Sequence, residues 1–119
     1  MEIFGIGTDV IEIDRFGSLS DRFMVRCYSE RERADLKGRH IEAIAGYFAA
    51  KEAIAKALGV GFVGFRPSAI EIVHNVAGKP EVVLYDGALV AAEAAGIKKI
   101  EISISHCKTY ATAMAVAQK

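Results

Sequence analysis

The chain opens with a segment in which successive side chains are expected to point to alternate faces of a strand. Residues 2–13 are rich in Ile, Val and Thr, which predicts a β-strand. One face of that strand carries Asp9 among isoleucines and glycines. Residues 14–26 show a helical pattern, and Gly17 is expected to split it.

Two further helices are indicated before the middle of the chain. Ser29 followed by Glu32 matches a capping box, so a short helix should begin there and end by residue 38. A long helix is predicted from His40 to Leu58, with Gly59 as its C-terminal cap. Its apolar stripe consists of Ile41, Ile44, Ala45, Phe48, Ala49, Ala55 and Leu58.

The second half of the chain alternates short strands and turns around one more helix. We predict strands at 69–74, 81–85, 99–106 and 110–117, the last two as a hairpin, and a turn at 75–80. Asp86 is expected to cap a helix that runs through Ala95. The pattern favours an α+β fold in which a mostly antiparallel sheet packs against one long helix and shorter helices. We expect residues 1–119 to form a single domain.

Composition narrows the class of protein. Fifteen basic and fifteen acidic residues cancel, which argues against a nucleic-acid-binding protein. No apolar run is long enough to cross a membrane and the first residues do not resemble a signal peptide, so we predict a cytoplasmic protein. Residues 15–39 hold seven basic against four acidic residues, which could steer an acidic partner but is also typical of a solvated helical surface.

Two carboxylates stand where the hydrophobic pattern calls for apolar residues. Glu52 lies on the apolar stripe of the long helix, and Lys56 lies on the same face one turn later. Asp9 breaks the pattern of its strand in the same way. Because neighbouring buried carboxylates repel each other, a divalent cation between them would stabilise both. The pattern predicts a magnesium site made by Asp9 and Glu52, with Lys56 directed at substrate phosphates.

A second interpretation of these residues stays open. Glu52 and Lys56 have the spacing of an ordinary helix-surface ion pair, and in that interpretation Asp9 caps a local turn. Other motifs are weaker. Residues 59–64 match GxGxxG but follow a helix, so we reject a dinucleotide site. His106 ends an apolar strand, and a structural role is favoured over phosphate contact.

Three segments, in order along the chain, together resemble the holo-acyl-carrier-protein synthases, which are 4′-phosphopantetheinyl transferases. They are residues 5–13 (GIGTDVIEI) followed by Arg15-Phe16, residues 48–59 (FAAKEAIAKALG), and residues 103–106 (SISH) with Tyr110-Ala111. Smaller matches lie between them, among them Gly78-Lys79-Pro80. The similarity runs almost from end to end.

The resemblance implies a specific reaction. Such enzymes transfer 4′-phosphopantetheine from coenzyme A to a serine of apo-acyl carrier protein, release adenosine 3′,5′-bisphosphate and support fatty acid biosynthesis. Asp9 and Glu52 match their magnesium ligands, and Lys56 matches the catalytic lysine that contacts the pyrophosphate. Glu52 is also our first choice for the catalytic base that takes the serine proton. The resemblance further implies a homotrimer with the active site at the subunit interface. Coenzyme A contacts are expected at Lys51, Lys56, His106 and Pro80, and carrier contacts at Arg15, Arg22 and Arg26.

One departure and two rival functions accompany this prediction. The family usually has an arginine where this chain has Tyr47, and the candidates to replace it at a coenzyme A phosphate are Arg39 and Lys51. One rival is a non-catalytic module that binds an acidic protein. The other is a different magnesium-dependent nucleotide phosphotransferase or hydrolase, which would act without a carrier.

Overall fold

The computed structural model describes residues 1–119. Its three central elements match the strongest patterns in the sequence, namely an opening strand, a long helix and a closing hairpin. In chain order the elements are β1 (Ile3–Glu12), a 3-10 helix (Ile13–Phe16), α1 (Asp21–Cys27), α2 (Glu30–Leu36), α3 (Ile41–Leu58), a 3-10 helix (Pro67–Ala69), β2 (Ile70–His74), β3 (Pro80–Leu84), α4 (Asp86–Ala94), β4 (Lys99–His106) and β5 (Tyr110–Gln118).

The strands form two sheets, both antiparallel. The larger has the order β1-β5-β4, and the smaller consists of β2 and β3. In the larger sheet Asp9 pairs with Ala113, which pairs in turn with Ile104, so these three residues form one row across the sheet. The predicted α+β class, the antiparallel pairing and the closing hairpin are confirmed.

Helix α3 packs across the larger sheet and is enclosed on its other side as well. The sheet presents four buried alanines to the core, Ala111, Ala113, Ala115 and Ala117. These small side chains leave room for the helix to approach the sheet closely. The predicted apolar stripe is too narrow, because Tyr47, Lys51 and Ile54 are also buried. A helix packed on several sides buries residues that a one-sided pattern assigns to solvent.

Of the three predicted helix caps, those at Ser29 and Gly59 are confirmed and the one at Asp86 is wrong. Ser29 and Glu32 form the capping box, with Ser29 Oγ accepting from the Glu32 N–H at 3.1 Å. Gly59 caps α3 in a left-handed conformation with φ of 83°. Asp86 is not a cap. The N-cap residue is Tyr85, which keeps an extended backbone and donates its N–H to the Ala69 carbonyl at 2.9 Å. Asp86 is therefore the first residue of α4.

The region after β1 differs from the single broken helix that the pattern predicted. Its first part is a 3-10 helix at Ile13–Phe16, and α1 begins only at Asp21, beyond the expected break at Gly17. Ser20 caps α1 by accepting the Phe23 N–H at 3.1 Å. No helix in the structure has both the length and the apolar composition needed to cross a membrane.

Candidate active site

Two glycines allow α3 to lie directly on the backbone of β1. A Cβ atom added at Gly7 would stand 1.9 Å from the Ala53 carbonyl oxygen, and one at Gly5 would stand 2.3 Å from the Ala57 carbonyl oxygen. Neither position can hold a larger residue without moving the helix. This close contact brings the strand face that carries Asp9 against the helix face that carries Glu52 and Lys56.

The side chain of Lys56 crosses from α3 to β1. Its Nζ donates to the Thr8 carbonyl at 2.9 Å and lies 3.5 Å from Asp9 Oδ1. The Asp9 side chain is 20% exposed, and that of Lys56 is 53% exposed. Helix and strand therefore meet at a polar site that opens to solvent, lined by the acid pair, Asp9 and Glu52, and by Lys56.

The acid pair is not neutralised within the chain. Burial raises the pKa of Glu52, and the nearby Asp9 carboxylate raises it further, while Lys56 opposes both effects. Two carboxylates close enough to affect each other therefore share one ammonium group. Such a site has an excess of negative charge and is suited to bind a cation.

The donor set of the acid pair fits magnesium. Mg²⁺ prefers hard oxygen ligands and is commonly held by one or two carboxylates, with phosphate oxygens and water completing its shell. No group of three or more His, Cys, Asp or Glu side chains suited to hold a metal occurs in the structure. A site that depends on protein ligands alone is therefore not present, whereas one shared with a phosphate-bearing substrate needs only Asp9 and Glu52.

The alternative interpretation of these residues does not match the contacts. Lys56 forms no ion pair with Glu52 and instead pairs with Asp9. Asp9 caps no turn, since its only side-chain partner is that same lysine. Its backbone carbonyl accepts from Thr112 Oγ1 at 2.9 Å, which ties β1 to β5 at this row. An isolated helix-surface pair is thus excluded.

Lys51 lies on a different side of α3 from the acid pair. Its side chain is fully buried, and Nζ donates to Glu32 Oε1 at 2.7 Å, to the Pro67 carbonyl at 3.1 Å and to the Ile70 carbonyl. All three donors of the ammonium group are used inside the protein. With its side chain buried and every donor paired, Lys51 has none free for coenzyme A, which argues against it both as a coenzyme A contact and as the replacement for the missing arginine.

Tyr47 and Arg39 meet at one carboxylate. The buried Tyr47 hydroxyl donates to Asp35 Oδ2, and Arg39 Nη1 lies 3.1 Å from the same oxygen. Burial and then the Asp35 hydrogen bond raise the pKa of Tyr47, so this phenol stays neutral. Tyr47 thus links α3 to α2, while Arg39 remains partly exposed beside it.

Two of the predicted coenzyme A contacts lie away from the acid pair within one chain. His106 is exposed at the end of β4 and pairs with Ala111, which pairs with Ile11 of β1. Two strand spacings separate it from β1, a distance of roughly 10 Å. Pro80 begins β3 in the smaller sheet, opposite His74. A single chain therefore gathers only Asp9, Glu52 and Lys56 from the predicted site.

The predicted carrier contacts are all exposed. Arg15 lies in the first 3-10 helix, and Arg22 and Arg26 lie one turn apart on α1. The structure adds Arg66, which sequence reasoning missed and which lines the same surface hollow as Arg22 and Arg26. An arginine in a loop gives no local signal, because only the folded chain shows which helix it lies beside.

Comparison with known proteins identifies the family and supports the fold. The family model described as the 4′-phosphopantetheinyl transferase superfamily matches residues 5–115. The holo-[acyl-carrier-protein] synthase of Caldanaerobacter subterraneus is 43% identical, with 98% of this chain and 95% of that protein covered. The crystal structure of the Neisseria meningitidis holo-[acyl-carrier-protein] synthase has a TM-score of 0.88 at 34% identity, with 98% and 99% of the two chains covered.

A third relative was solved with a ligand. The Helicobacter pylori holo-[acyl-carrier-protein] synthase, crystallised in complex with coenzyme A, has a TM-score of 0.83 at 30% identity, with 95% of this chain and 99% of that chain covered. These matches confirm the resemblance seen in the sequence and the prediction of an enzyme of this type. The chain therefore belongs to the 4′-phosphopantetheinyl transferase superfamily.

Proposed function

We propose that this protein transfers 4′-phosphopantetheine from coenzyme A to a serine hydroxyl of apo-acyl carrier protein, releases adenosine 3′,5′-bisphosphate and needs magnesium. The observation that carries the proposal is the acid pair, which lies beside Lys56 in a chain of this superfamily. The coenzyme A complex of the Helicobacter pylori relative supports coenzyme A as the donor. A role in fatty acid biosynthesis and a cytoplasmic location stay predictions.

Asp9 and Glu52 would hold the magnesium ion. When bound there, the ion would neutralise and orient the pyrophosphate of coenzyme A. Without a cation the two carboxylates would repel that pyrophosphate, because only Lys56 opposes their charge. The acid pair thus explains why the reaction should depend on a divalent ion.

Lys56 is placed to contact the phosphates directly. One of its donors reaches the Thr8 carbonyl and another approaches Asp9 Oδ1, which leaves a third N–H on a half-exposed ammonium group. That donor can stabilise the negative charge that develops on the departing bisphosphate. The backbone bond to Thr8 holds the side chain toward the site even when the substrate is absent.

Glu52 is our candidate for the general base. Its side chain is only partly buried and borders the solvent-open site beside Lys56, where a serine hydroxyl can reach it. The serine proton passes to the Glu52 carboxylate as the serine oxygen forms a bond to the phosphorus that carries the pantetheine arm. The bond from that phosphorus to the bridging oxygen breaks, and the oxygen leaves with the bisphosphate.

The outer face of the larger sheet supports the proposed homotrimer. Ile6 and Val10 of β1 are 68% and 66% exposed, and Met114 and Tyr110 of β5 extend the same apolar face. An exposed apolar face of this kind is typical of a protein–protein interface. An active site at the subunit interface would take His106 from a neighbouring chain, because within one chain His106 lies two strands away from β1.

A single incubation tests the proposal. Purified protein is mixed with coenzyme A, magnesium and an apo-acyl carrier protein, and the carrier is read by intact mass. We expect a gain of one phosphopantetheine that chelation of magnesium abolishes. An unmodified carrier that nevertheless binds the protein would favour the non-catalytic module. Breakdown of coenzyme A without any carrier would favour the other phosphotransferase or hydrolase.

A further inference from the structure

A surface hollow beside α1 gathers three arginines from two parts of the chain. It has a volume of about 340 Å³. Arg22 and Arg26 reach it from α1, and Arg66 reaches it from the loop before the second 3-10 helix. The residues that line it are Asp21, Arg22, Val25, Arg26 and Arg66.

The three arginines have no partner inside the chain. None of them takes part in an ion pair, and none donates a side-chain hydrogen bond. By contrast, Arg31 pairs with Glu71, Arg39 pairs with Asp35, and Arg33 donates to the Tyr28 carbonyl. Arg15 is also unpaired, but it lies outside the hollow. Asp21 is the only acid that lines the hollow, so three positive charges face one negative charge. Guanidinium groups left free on a surface are available to an external anion.

The backbone that presents Arg66 is held from the protein interior. Its carbonyl accepts the Ala69 N–H at 2.9 Å. The next carbonyl, that of Pro67, accepts from the buried Lys51 ammonium at 3.1 Å. Arg66 is therefore an exposed side chain on an anchored segment, which lowers the entropy lost when it binds a partner.

We propose that Arg66 completes, with Arg22 and Arg26, a docking site for carboxylates on the surface of the acidic carrier protein. This inference rests on the proposed function and deepens it, because it assigns a new residue to the carrier surface. Arg22 and Arg26 stand four residues apart, so both guanidinium groups lie on one face of α1. Arg66 adds a third contact from outside α1.

The composition of the hollow favours a protein surface over a phosphate group. It is open to solvent, and Val25 is 52% exposed on its wall. A protein surface can cover the valine with an apolar side chain while its carboxylates reach the arginines, whereas a phosphate group cannot cover the valine. Arg15 is exposed as well but does not line this hollow.

Arg66→Ala provides the test, with Lys37→Ala as its control. Lys37 is also an exposed cation without an ion-pair partner, so both variants lose one charge without disturbing an internal contact. We expect Arg66→Ala to raise the KM for apo-acyl carrier protein about five- to tenfold and to reduce its dependence on salt. Arg66→Glu should raise it further. The KM for coenzyme A should stay within about twofold of the wild type in every variant.

Several outcomes would overturn the inference while leaving the proposed function intact. One is a carrier KM that Arg66→Ala changes no more than Lys37→Ala does. Another is an equal rise in the KM for coenzyme A, which would make the hollow a phosphate site. Carrier binding is also measured by titration calorimetry, so the inference is tested even if no transfer is seen. A wild type that neither binds nor modifies the carrier would contradict both proposals.

Discussion

Lys51 and Glu52 are consecutive residues of α3 with opposite surroundings. Lys51 is fully buried, and every donor of its ammonium group has a partner inside the chain. Glu52 faces the solvent-open site, where a second carboxylate opposes it and only Lys56 compensates. One step along a helix turns a side chain by about 100°, so neighbours face different regions.

The two regions differ in how completely their charges are matched. On the Lys51 side, Glu32 Oε1 also accepts the Ser29 N–H at 2.8 Å, and Glu32 Oε2 accepts the Ile72 N–H at 2.8 Å. We call this arrangement of Glu32, Lys51 and their partners the Lys51 network. Because all its polar groups are paired, it has nothing left to offer a ligand, and its role is to hold α2, α3 and β2 together. The acid pair keeps unmatched charge, which is what a metal and a substrate can use.

Removing the buried cation should have the largest effect on stability. Lys51→Met leaves the Glu32 carboxylate buried without its partner, and we expect the free energy of unfolding to fall by about 3–5 kcal/mol. Chemical denaturation measures the change. Glu32→Gln in the same chain should restore part of the loss, because it removes the unpaired charge. Wild-type stability in Lys51→Met would show that the Lys51 network does not hold the fold.

The corresponding change at the acid pair should affect turnover and leave the fold intact. Glu52→Gln is expected to lower kcat on the order of 100-fold or more, since it removes both a metal ligand and the proposed base. Its melting temperature should not fall, because burial and Asp9 already disfavour the charged form of Glu52. Transfer rates read by mass spectrometry, together with a thermal melt, check both points. Near-normal turnover would remove Glu52 from the mechanism.

A smaller, pH-dependent effect is expected where Glu71 joins β2 to α2. Burial alone would raise the pKa of Glu71, but hydrogen bonds from Ser29 and Tyr85 and the charge of Arg31 outweigh it and hold the pKa below its usual value. The charged form therefore stabilises the fold above the unfolded pKa of about 4.3, and that contribution is lost as the pH falls through the folded pKa.

Glu71→Gln removes this contribution. We expect it to cost about 2 kcal/mol at pH 7 and progressively less below about pH 4. Denaturant titrations of both proteins across that range measure the difference. A difference that does not change with pH would show that packing, and not the charge of Glu71, accounts for the loss.

The sequence located the acid pair because both residues violate a periodic pattern. Asp9 interrupts an alternating strand and Glu52 interrupts a helical stripe, and each violation is visible locally. Lys51 gave no such signal, since its position seemed to face solvent. Its partners come from Glu32 and from the carbonyls of Pro67 and Ile70, and only the folded chain brings them around one ammonium group.

In the fold, too, the features set by neighbouring residues were predictable, and those set by residues distant in sequence were not. The capping box at Ser29 and the glycine cap at Gly59 depend on neighbouring residues and were predictable. The placement of β5 between β1 and β4, and the separation of β2 and β3 into a second sheet, depend on long-range pairing. Gly7 shows what the sequence alone does not reveal. A side chain is excluded there because the Ala53 carbonyl, far away in the sequence, lies against it in the fold.

Magnesium binding tests most directly whether the acid pair is a metal site. Mg²⁺ is titrated by calorimetry into the wild-type protein with coenzyme A present, and into the Asp9→Asn and Glu52→Gln variants under the same conditions. We expect one site per chain in the wild type and a loss of affinity of tenfold or more in each variant. Equal magnesium affinity in all three proteins would contradict the assignment of Asp9 and Glu52 as the pair that holds the ion.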